Sequence, residues 1–418
     1  MRTTRLVSFG AVFVLLASLL ATPASASRRE RIDPVRFATY NVSLNRTFEG
    51  ELFEHLSEAY DGTDPDISDL ALRRWQIANV AEVIQRTRPD VILLNEFDYD
   101  PTGQSIDLFR SNYLEVGQNG ADPLEYPYVF VAESNTGVPS GVDLNGDGTV
   151  GGPDDAYGFG FFPGQFGMAV LSKYPIDLDG VRTFQKFLWK DMPGNLIPEG
   201  FYSDAALEVF RLSSKSHWDV PIEIGRRTVH LLASHPTPPV FDGPEDRNGR
   251  RNHDEIRFWA DYIRPSASRY IYDDEGRTGG LRGRDRFVIV GDQNADPLDG
   301  DSVPGAIDQL LDNGKIRKVR PASLGGVAAA EQGGANDDHQ SNPAYDTADF
   351  NDSGPGNLRV DYVLPSKRMK VRDTGVFWPA PDDPLSRLTG EFDFPQFERD
   401  GIGYPTSDHR LVWVDLRP

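Results

Sequence analysis

The sequence predicts an α/β (α+β) domain of packed β-sheets with helices outside. Three observations carry that expectation. Apolar runs of strand length recur along the whole chain. Two stretches between them space their apolar residues as one face of a helix does. Several strands are joined by turns too short for helical crossovers, which argues for packed sheets rather than one wound sheet.

In chain order, the first segment is a targeting signal. Arg2 and Arg5 precede the apolar run 6–20, and Ala24, Ser25 and Ala26 form a small-x-small cleavage pattern, so residues 1–26 read as a signal peptide and 27–418 as the mature domain. The run is shorter than the ~20 apolar residues of a spanning helix, and no later stretch is long enough for stable membrane insertion. Residues 35–40 form a strand ending at Asn41, and residues 67–88 carry Leu70, Ile77, Val80, Val83 and Ile84 at helical spacing until Pro89 stops them. The run 91–96 is apolar throughout up to Glu96 and reads as a strand buried on both faces. Residues 119–167, rich in Gly, Pro and Asp, read as a long inserted loop closing on a strand from Met168. Strands follow at 228–235 and 286–294, with a short helix between them at 254–263 presenting Ile256, Trp259, Ala260 and Ile263 on one face. The last two strands start near Asn357 and His409.

Composition narrows the function. The chain has 418 residues, 39% of them hydrophobic, no cysteine, and a formal net charge of −21. A disulfide scaffold and a disordered low-complexity chain are excluded. Without disulfides, an exported protein draws its stability from a large core or from bound metal. Bulk charge also opposes polyanion binding, which needs clustered Lys and Arg, so a phosphate substrate has to be met locally with a metal screening the field.

Polar groups repeatedly close the apolar strands: Asn41, Glu96, His235, Asp292, Asn294, Asp408 and His409. The simplest arrangement is that these strand ends converge on one site.

The segments carrying them are TYNV, LLNE, MAVLSKYPI, ASHP, GDQNADP, RVDYVLPS and SDHRLV, in that order between Arg36 and Leu416. In this set and order the sequence resembles the endonuclease/exonuclease/phosphatase superfamily. The resemblance implies a four-layered sandwich of two mostly antiparallel sheets flanked by helices, and hydrolysis of phosphate mono- or diesters with Mg²⁺ or Mn²⁺. It further implies that Glu96 is the principal metal ligand, with Asn41 as ligand or positioning amide and Asp408 near the same ion. His409, oriented by Asp361, would be general base or phosphate contact; His235 would contact the phosphate or protonate the leaving group; Asp292 and Asn294 would align water and a phosphoryl oxygen. The partner implied is the phosphate-ester substrate, with nucleic acid only as a possible substrate and no protein partner. A secreted phosphoesterase fits export and acidity best; an extracellular nuclease, a sphingomyelinase-like phospholipase and a catalytically silent binding module are the alternatives.

A second metal signal lies within the insertion, at about 135–160. DLNGDGTVGGPD fits a calcium-loop pattern in which Asp143, Asn145, Asp147, the Thr149 carbonyl and Asp154 surround Ca²⁺ in a structural role. Arg247, Arg250 and Arg251, just after His235, are the local candidates for a phosphate clamp. Phe159, Phe161, Phe162 and Phe166 read as packing under the insertion, and the acidic runs at Asp61, Asp64 and Asp66 and at Asp346, Asp349 and Asp352 as solvated loops. Lys186, Lys190, Lys215 and His217 with Trp189 and Trp218 leave two readings open: a mixture that holds a phosphate beside an apolar or ring-shaped group, or a strand pair with half-buried tryptophans.

Overall fold

A computed structural model describes residues 33–60, 69–390 and 404–418; the signal-peptide reading of 1–26 and the acidic run at Asp61, Asp64 and Asp66 lie outside the described residues. In chain order the strands are β1 (Val35–Leu44), β2 (Val91–Phe97), β3 (Tyr128–Phe130), β4 (Met168–Ser172), β5 (Arg182–Thr183), β6 (His217–Ile224), β7 (Arg227–Ser234), β8 (Arg286–Asp292), β9 (Ala348–Asp349), β10 (Asn357–Leu358), β11 (Asp361–Pro365), β12 (Lys370–Val376) and β13 (Val412–Arg417). They form a six-stranded sheet, β12-β13-β1-β2-β4-β3, a five-stranded sheet, β11-β8-β7-β6-β5, and the small pair β10-β9. Each large sheet holds one parallel pair, β1 with β2 and β7 with β8, and is otherwise antiparallel.

The layering follows from burial. β1 and β2 are apolar on both faces because one face meets a helix while the other meets the second sheet, through β8 and β11. Helix Asp69–Thr87 covers the outer face of the first sheet, placing Ile77, Val80, Val83 and Ile84 against Ala38, Tyr40, Ile92 and Leu94. Helix Arg247–Tyr262 covers the second sheet, where Trp259 Nε1 donates to Ser234 Oγ at 2.9 Å and Tyr262 OH to Asp219 Oδ2 at 2.6 Å. The result is the helix–sheet–sheet–helix sandwich that the sequence implied. Among the described residues no helix is long and apolar enough to cross a membrane.

Some boundaries differ from the sequence reading. Helix Arg247–Tyr262 begins seven residues before the expected start at Asp254, because its first turns bury polar groups, Arg251, Asn252, Asp254 and Glu255, that leave no apolar periodicity. The insertion adds the short edge strand β3. Trp189 and Trp218 are fully rather than half buried.

Candidate active site

The two central strands of the facing sheets deliver their polar ends to one place. On the first sheet, β1 and β2 run parallel with Asn41 opposite Asn95, which sets Glu96 beside the end of β1. On the second, Asp361 of β11 lies opposite Asp292 of β8, so two carboxylates stand side by side across the ladder. His235 follows β7, and Asp408 and His409 precede β13.

Polar contacts join the two sheets. Asn95 Oδ1 accepts from Thr39 Oγ1 and from the Asp292 amide, each at 3.3 Å. Asn41 Nδ2 donates to Glu96 Oε1 at 3.0 Å and to Asp292 Oδ2 at 3.2 Å, while its Oδ1 accepts the Ser43 amide at 3.2 Å. Asn41 thus presents its amide nitrogen, and not its oxygen, to the two carboxylates. Ser43 Oγ bonds Ser407 Oγ at 2.9 Å and donates to Asp408 Oδ1 at 3.3 Å.

His409 lies between the paired carboxylates. Its Nδ1 is 2.9 Å from Asp361 Oδ2 and its Nε2 3.7 Å from Asp292 Oδ2, and Asp361 Oδ2 also accepts from Thr347 Oγ1 at 2.9 Å. Burial would discharge His409, but Asp361 and then Asp292 outweigh it and hold the imidazole well above its ordinary 6.5. Burial pushes Asp361 up to about 6, still below neutrality, so the pair is imidazolium and carboxylate at pH 7. Burial also works against the Asp292 carboxylate, yet His409 and His235 together keep it far below the usual range. His235, with Nε2 3.4 Å from Asp292 Oδ2, goes the other way: burial first and Lys215 second pull it down to about 4, and it is neutral. Its buried Nδ1 makes no hydrogen bond among the described residues.

Glu96, Asp292, Asn294, Asp408 and His409 line one cleft of about 660 Å³, with Asn41, His235 and Asp361 immediately behind. Burial and the neighbouring Asp408 raise the Glu96 carboxyl above its ordinary value, so two acids share a partly enclosed space. Among the described residues, Asp292, Asp361 and His409 form a group of three whose carboxylate and imidazole ligand atoms all lie within 4.8 Å of one another. The short Nδ1 contact to Asp361 makes that group an ion pair first.

Glu255 has no counterpart in the sequence reading, whereas Lys215 belongs there to the Lys/Trp mixture able to hold a phosphate. Buried Lys215, lowered by desolvation, sits in the fields of Glu255, Glu96 and Asp292. Glu255 accepts the Ser214 and Thr237 amides, each at 2.7 Å, and so ties the segment leading into β6 to the loop after His235. Glu255 lies inside a helix, away from any strand end, which leaves it without a sequence signal.

Several expectations are corrected. Arg247, Arg250 and Arg251 do not line the cleft. Arg251 is buried and donates to the carbonyls of Leu212 (2.8 Å), Tyr157 (2.5 Å) and Arg211 (3.0 Å), and Arg247 pairs with Glu245; the arginine run belongs to a helix, and its charges are consumed by packing. In the Asp143 loop, Asp143 accepts the amides of Gly146 and Gly148, Asn145 that of Asp147, and Asp147 that of Thr149. Asp154 is exposed, and it is Asp155 that turns inward onto the amides of Leu144 (2.6 Å) and Gly151 (2.7 Å). Phe162 is packed, but Phe159 and Phe161 are exposed. Asp346 and Asp349 are buried rather than solvated, Asp349 against Arg410 at 3.0 Å.

With this geometry in hand, the comparisons decide the lineage: the sequence profile described as the Endonuclease/Exonuclease/phosphatase family matches residues 38–409. The chain belongs to that family. Its members are hydrolases of phosphate esters and include metal-dependent phosphoesterases and nucleases. Solved structures similar to this family member include an endonuclease/exonuclease/phosphatase from Beutenbergia cavernae DSM 12333, with 16% identity, TM-score 0.48, and coverage of 92% of this chain and 72% of that one. Others are a double mutant of beta toxin from Staphylococcus aureus with bound magnesium ions (15%, TM-score 0.43, 92% and 99%), and TDP2 from Caenorhabditis elegans (15%, TM-score 0.41, 93% and 77%). Comparison with curated proteins gives no match.

Proposed function

We propose that this chain is an exported, Mg²⁺-dependent phosphoesterase. The observation that carries the reading is the continuous series Asp361, His409, Asp292, His235, which abuts Glu96 and Asp408 in a single cleft.

The donor set fits a divalent cation. Glu96 and Asp408 are hard oxygen donors at the cleft wall, and burial together with the Asp408 charge raises Glu96, a cost that a bound cation would relieve. Glu96 and Asp408 would hold the ion, with Asn41 fixing the Glu96 carboxylate through its amide. Bound there, the metal neutralises the phosphate and stabilises the leaving oxygen. The chain's own groups do the rest. Asp292, kept anionic, accepts the proton of the attacking water; Asn294, whose amide donates to Asp292 Oδ1 at 2.8 Å, fixes its orientation. His409, already charged, faces a phosphoryl oxygen as a cation, so phosphate contact is favoured over general base. His235, neutral, keeps Nε2 3.4 Å from Asp292 Oδ2 and contacts the phosphate or the leaving group without charge of its own.

The reading includes cleavage after Ala26 and a structural Ca²⁺ at the Asp143 loop, with Asp155 as the residue closing it. The test is hydrolysis by the mature protein, with Mg²⁺, Ca²⁺ or chelator, of plasmid DNA, bis-p-nitrophenyl phosphate, p-nitrophenyl phosphate and sphingomyelin. Metal-dependent ester hydrolysis that Glu96→Ala and His409→Ala each abolish in folded protein is expected. Unchanged activity in either variant overturns the site assignment, and nicking of DNA alone would make the chain a nuclease.

A further inference from the structure

We propose that the substrate of this cleft is a small phosphate ester whose organic part is apolar and preferably aromatic, seated between Phe161 and Phe241 at the mouth; the proposal rests on the phosphoesterase reading above.

The wall of the cleft divides by chemistry. Behind lie the acids and His409. In front of them an apolar surface starts at Phe350, whose ring meets the His409 imidazole edge-on at 5.3 Å between centroids, and continues outward to Phe166, Phe161 and Phe241. Phe161 is 66% exposed and Phe241 87% exposed, although large apolar side chains gain by leaving water. Rings left in water at the rim of a reacting cleft are explained by a ligand that covers them.

The backbone under each ring is anchored. Phe241 has a left-handed backbone, φ 64°, which a bulky residue rarely adopts. Its loop is anchored to the helix that starts at Arg247: Asn248 Nδ2 donates to the Val240 carbonyl at 2.7 Å and the Asn248 amide to Asp242 Oδ2 at 2.6 Å. On the other side the Phe161 amide donates to Oε1 of buried Gln165 at 2.8 Å, and Gln165 Nε2 to the Arg46 carbonyl at 2.6 Å. Anchored backbones at both sides of the mouth leave a ligand only the two ring rotamers to order.

Charge and size select the occupant. Five carboxylates line the cleft, Glu96, Asp292, Asp296, Asp301 and Asp408, against two arginines, Arg46 and Arg73. Arg46 already donates through Nε to His55 Nδ1 at 2.9 Å and through a terminal nitrogen to the Asn45 carbonyl at 2.8 Å. A polynucleotide needs a run of cations along its backbone, which this wall does not provide. One phosphate at the back with an apolar ring in front matches it, and about 660 Å³ is the volume of a small-molecule site.

The probes are phenylphosphonate and methylphosphonate, which carry the same charge and no hydrolysable ester bond, titrated calorimetrically into the mature protein with Mg²⁺. Phenylphosphonate is expected to bind roughly ten-fold more tightly, the range of one ring stacked on aromatic side chains. Phe241→Ala and Phe161→Ala, both at exposed positions, should each cut that ratio about three-fold or more, and Phe241→Tyr should restore it. Equal affinity for the two probes, or a ratio untouched by both alanine variants, overturns the proposal. So does a pair of alanine variants that lose capture by phosphatidylcholine vesicles while keeping the ratio, because the rings would then serve a membrane. Failure of the phosphoesterase reading is seen separately, as absence of metal-dependent hydrolysis with the binding preference intact.

Discussion

Asp361→Asn tests the electrostatic design most directly. The substitution keeps the shape of the side chain and its contact with Thr347 but removes the carboxylate 2.9 Å from His409 Nδ1. Two unit charges about 4 Å apart at an effective dielectric of ~20 interact by about 4 kcal/mol, which at ~1.4 kcal/mol per unit corresponds to about 3 pK units. Asp292, 3.7 Å from Nε2, remains and returns part of this, while burial pulls the imidazole down. The expected outcome is a His409 that drops by about 2 units or more, to near or below its ordinary value. If the charged form is required, the alkaline limb of kcat/KM moves to lower pH by the same amount. The deficit against wild type is then about 100-fold at pH 8 and only a few-fold at pH 6. The assay is a pH–rate profile with bis-p-nitrophenyl phosphate at saturating Mg²⁺, paired with NMR titration of the His409 ring. Stability moves in the same sense: a raised histidine stabilises the fold fully below pH 6.5 and loses that contribution as pH rises through its folded value, so the variant is less stable at neutral pH. A deficit that is constant with pH refutes the reasoning. A deficit that grows on acidification would make His409 the base.

Other consequences can be checked independently. Arg251→Met should cost about 3 kcal/mol in urea unfolding, since it strands one buried and two partly buried carbonyls, with KM of the folded enzyme within two-fold; a many-fold rise in KM would restore the phosphate-clamp reading. His217, which burial lowers from 6.5 to about 4, must stay neutral in the fold, so its presence costs progressively more as pH falls through that window. The stability gap between wild type and His217→Gln should therefore narrow by about 3 kcal/mol from pH 6.5 to pH 4 in denaturant titrations, and a constant gap would contradict it. If the Asp143 loop binds calcium, chelation lowers Tm and Ca²⁺ restores it; Asp143→Ala should abolish the response, whereas a Tm indifferent to Ca²⁺ removes the ion from the reading.

The site was legible in the sequence to the extent that its residues adjoin apolar strands. Asn41, Glu96, Asp292 and His235 each end a run whose alternation or continuity identifies it, and a strand end fixes where the next side chain points. A group inside a helix was invisible: Glu255 lies on the polar buried face of a helix whose first half carries no hydrophobic pattern. Lys215, two residues before β6, was legible only as part of a Lys/Trp mixture, because nothing in the sequence shows that it is buried. The same cause turned Arg251 from a packing residue into an apparent ligand. In the Asp143 loop it is Asp155 rather than Asp154 that turns inward, because Gly151 and Gly152, both at positive φ, let the chain turn in a way the spacing alone does not encode. Exposure of Phe161 was likewise unreadable: an apolar ring in water contradicts the partition that makes sequence patterns informative.

That contradiction extends to the backbone. Among the described residues, eight non-glycine positions have positive φ, and five of them, Ser43, Glu96, Phe166, Phe241 and Asn294, line the one cleft. Such residues cost about 1–3 kcal/mol each, so five of them amount to a sum comparable with the net stability of a whole domain. Strain of this size persists only where the surroundings over-determine it, and the surroundings here are largely the ends of well-buried strands. β1, β2 and β8 are pinned on both faces, and Ser43, Glu96 and Asn294 sit where those strands stop or just beyond. Each left-handed residue turns the chain abruptly, so that Glu96 aims its carboxylate across the sheet end toward Asn41, and Asn294 folds its amide back onto Asp292. The two phenylalanines belong to the apolar half of the cleft and the other three to the polar half. The same device therefore builds both halves, which is what a single substrate spanning them requires.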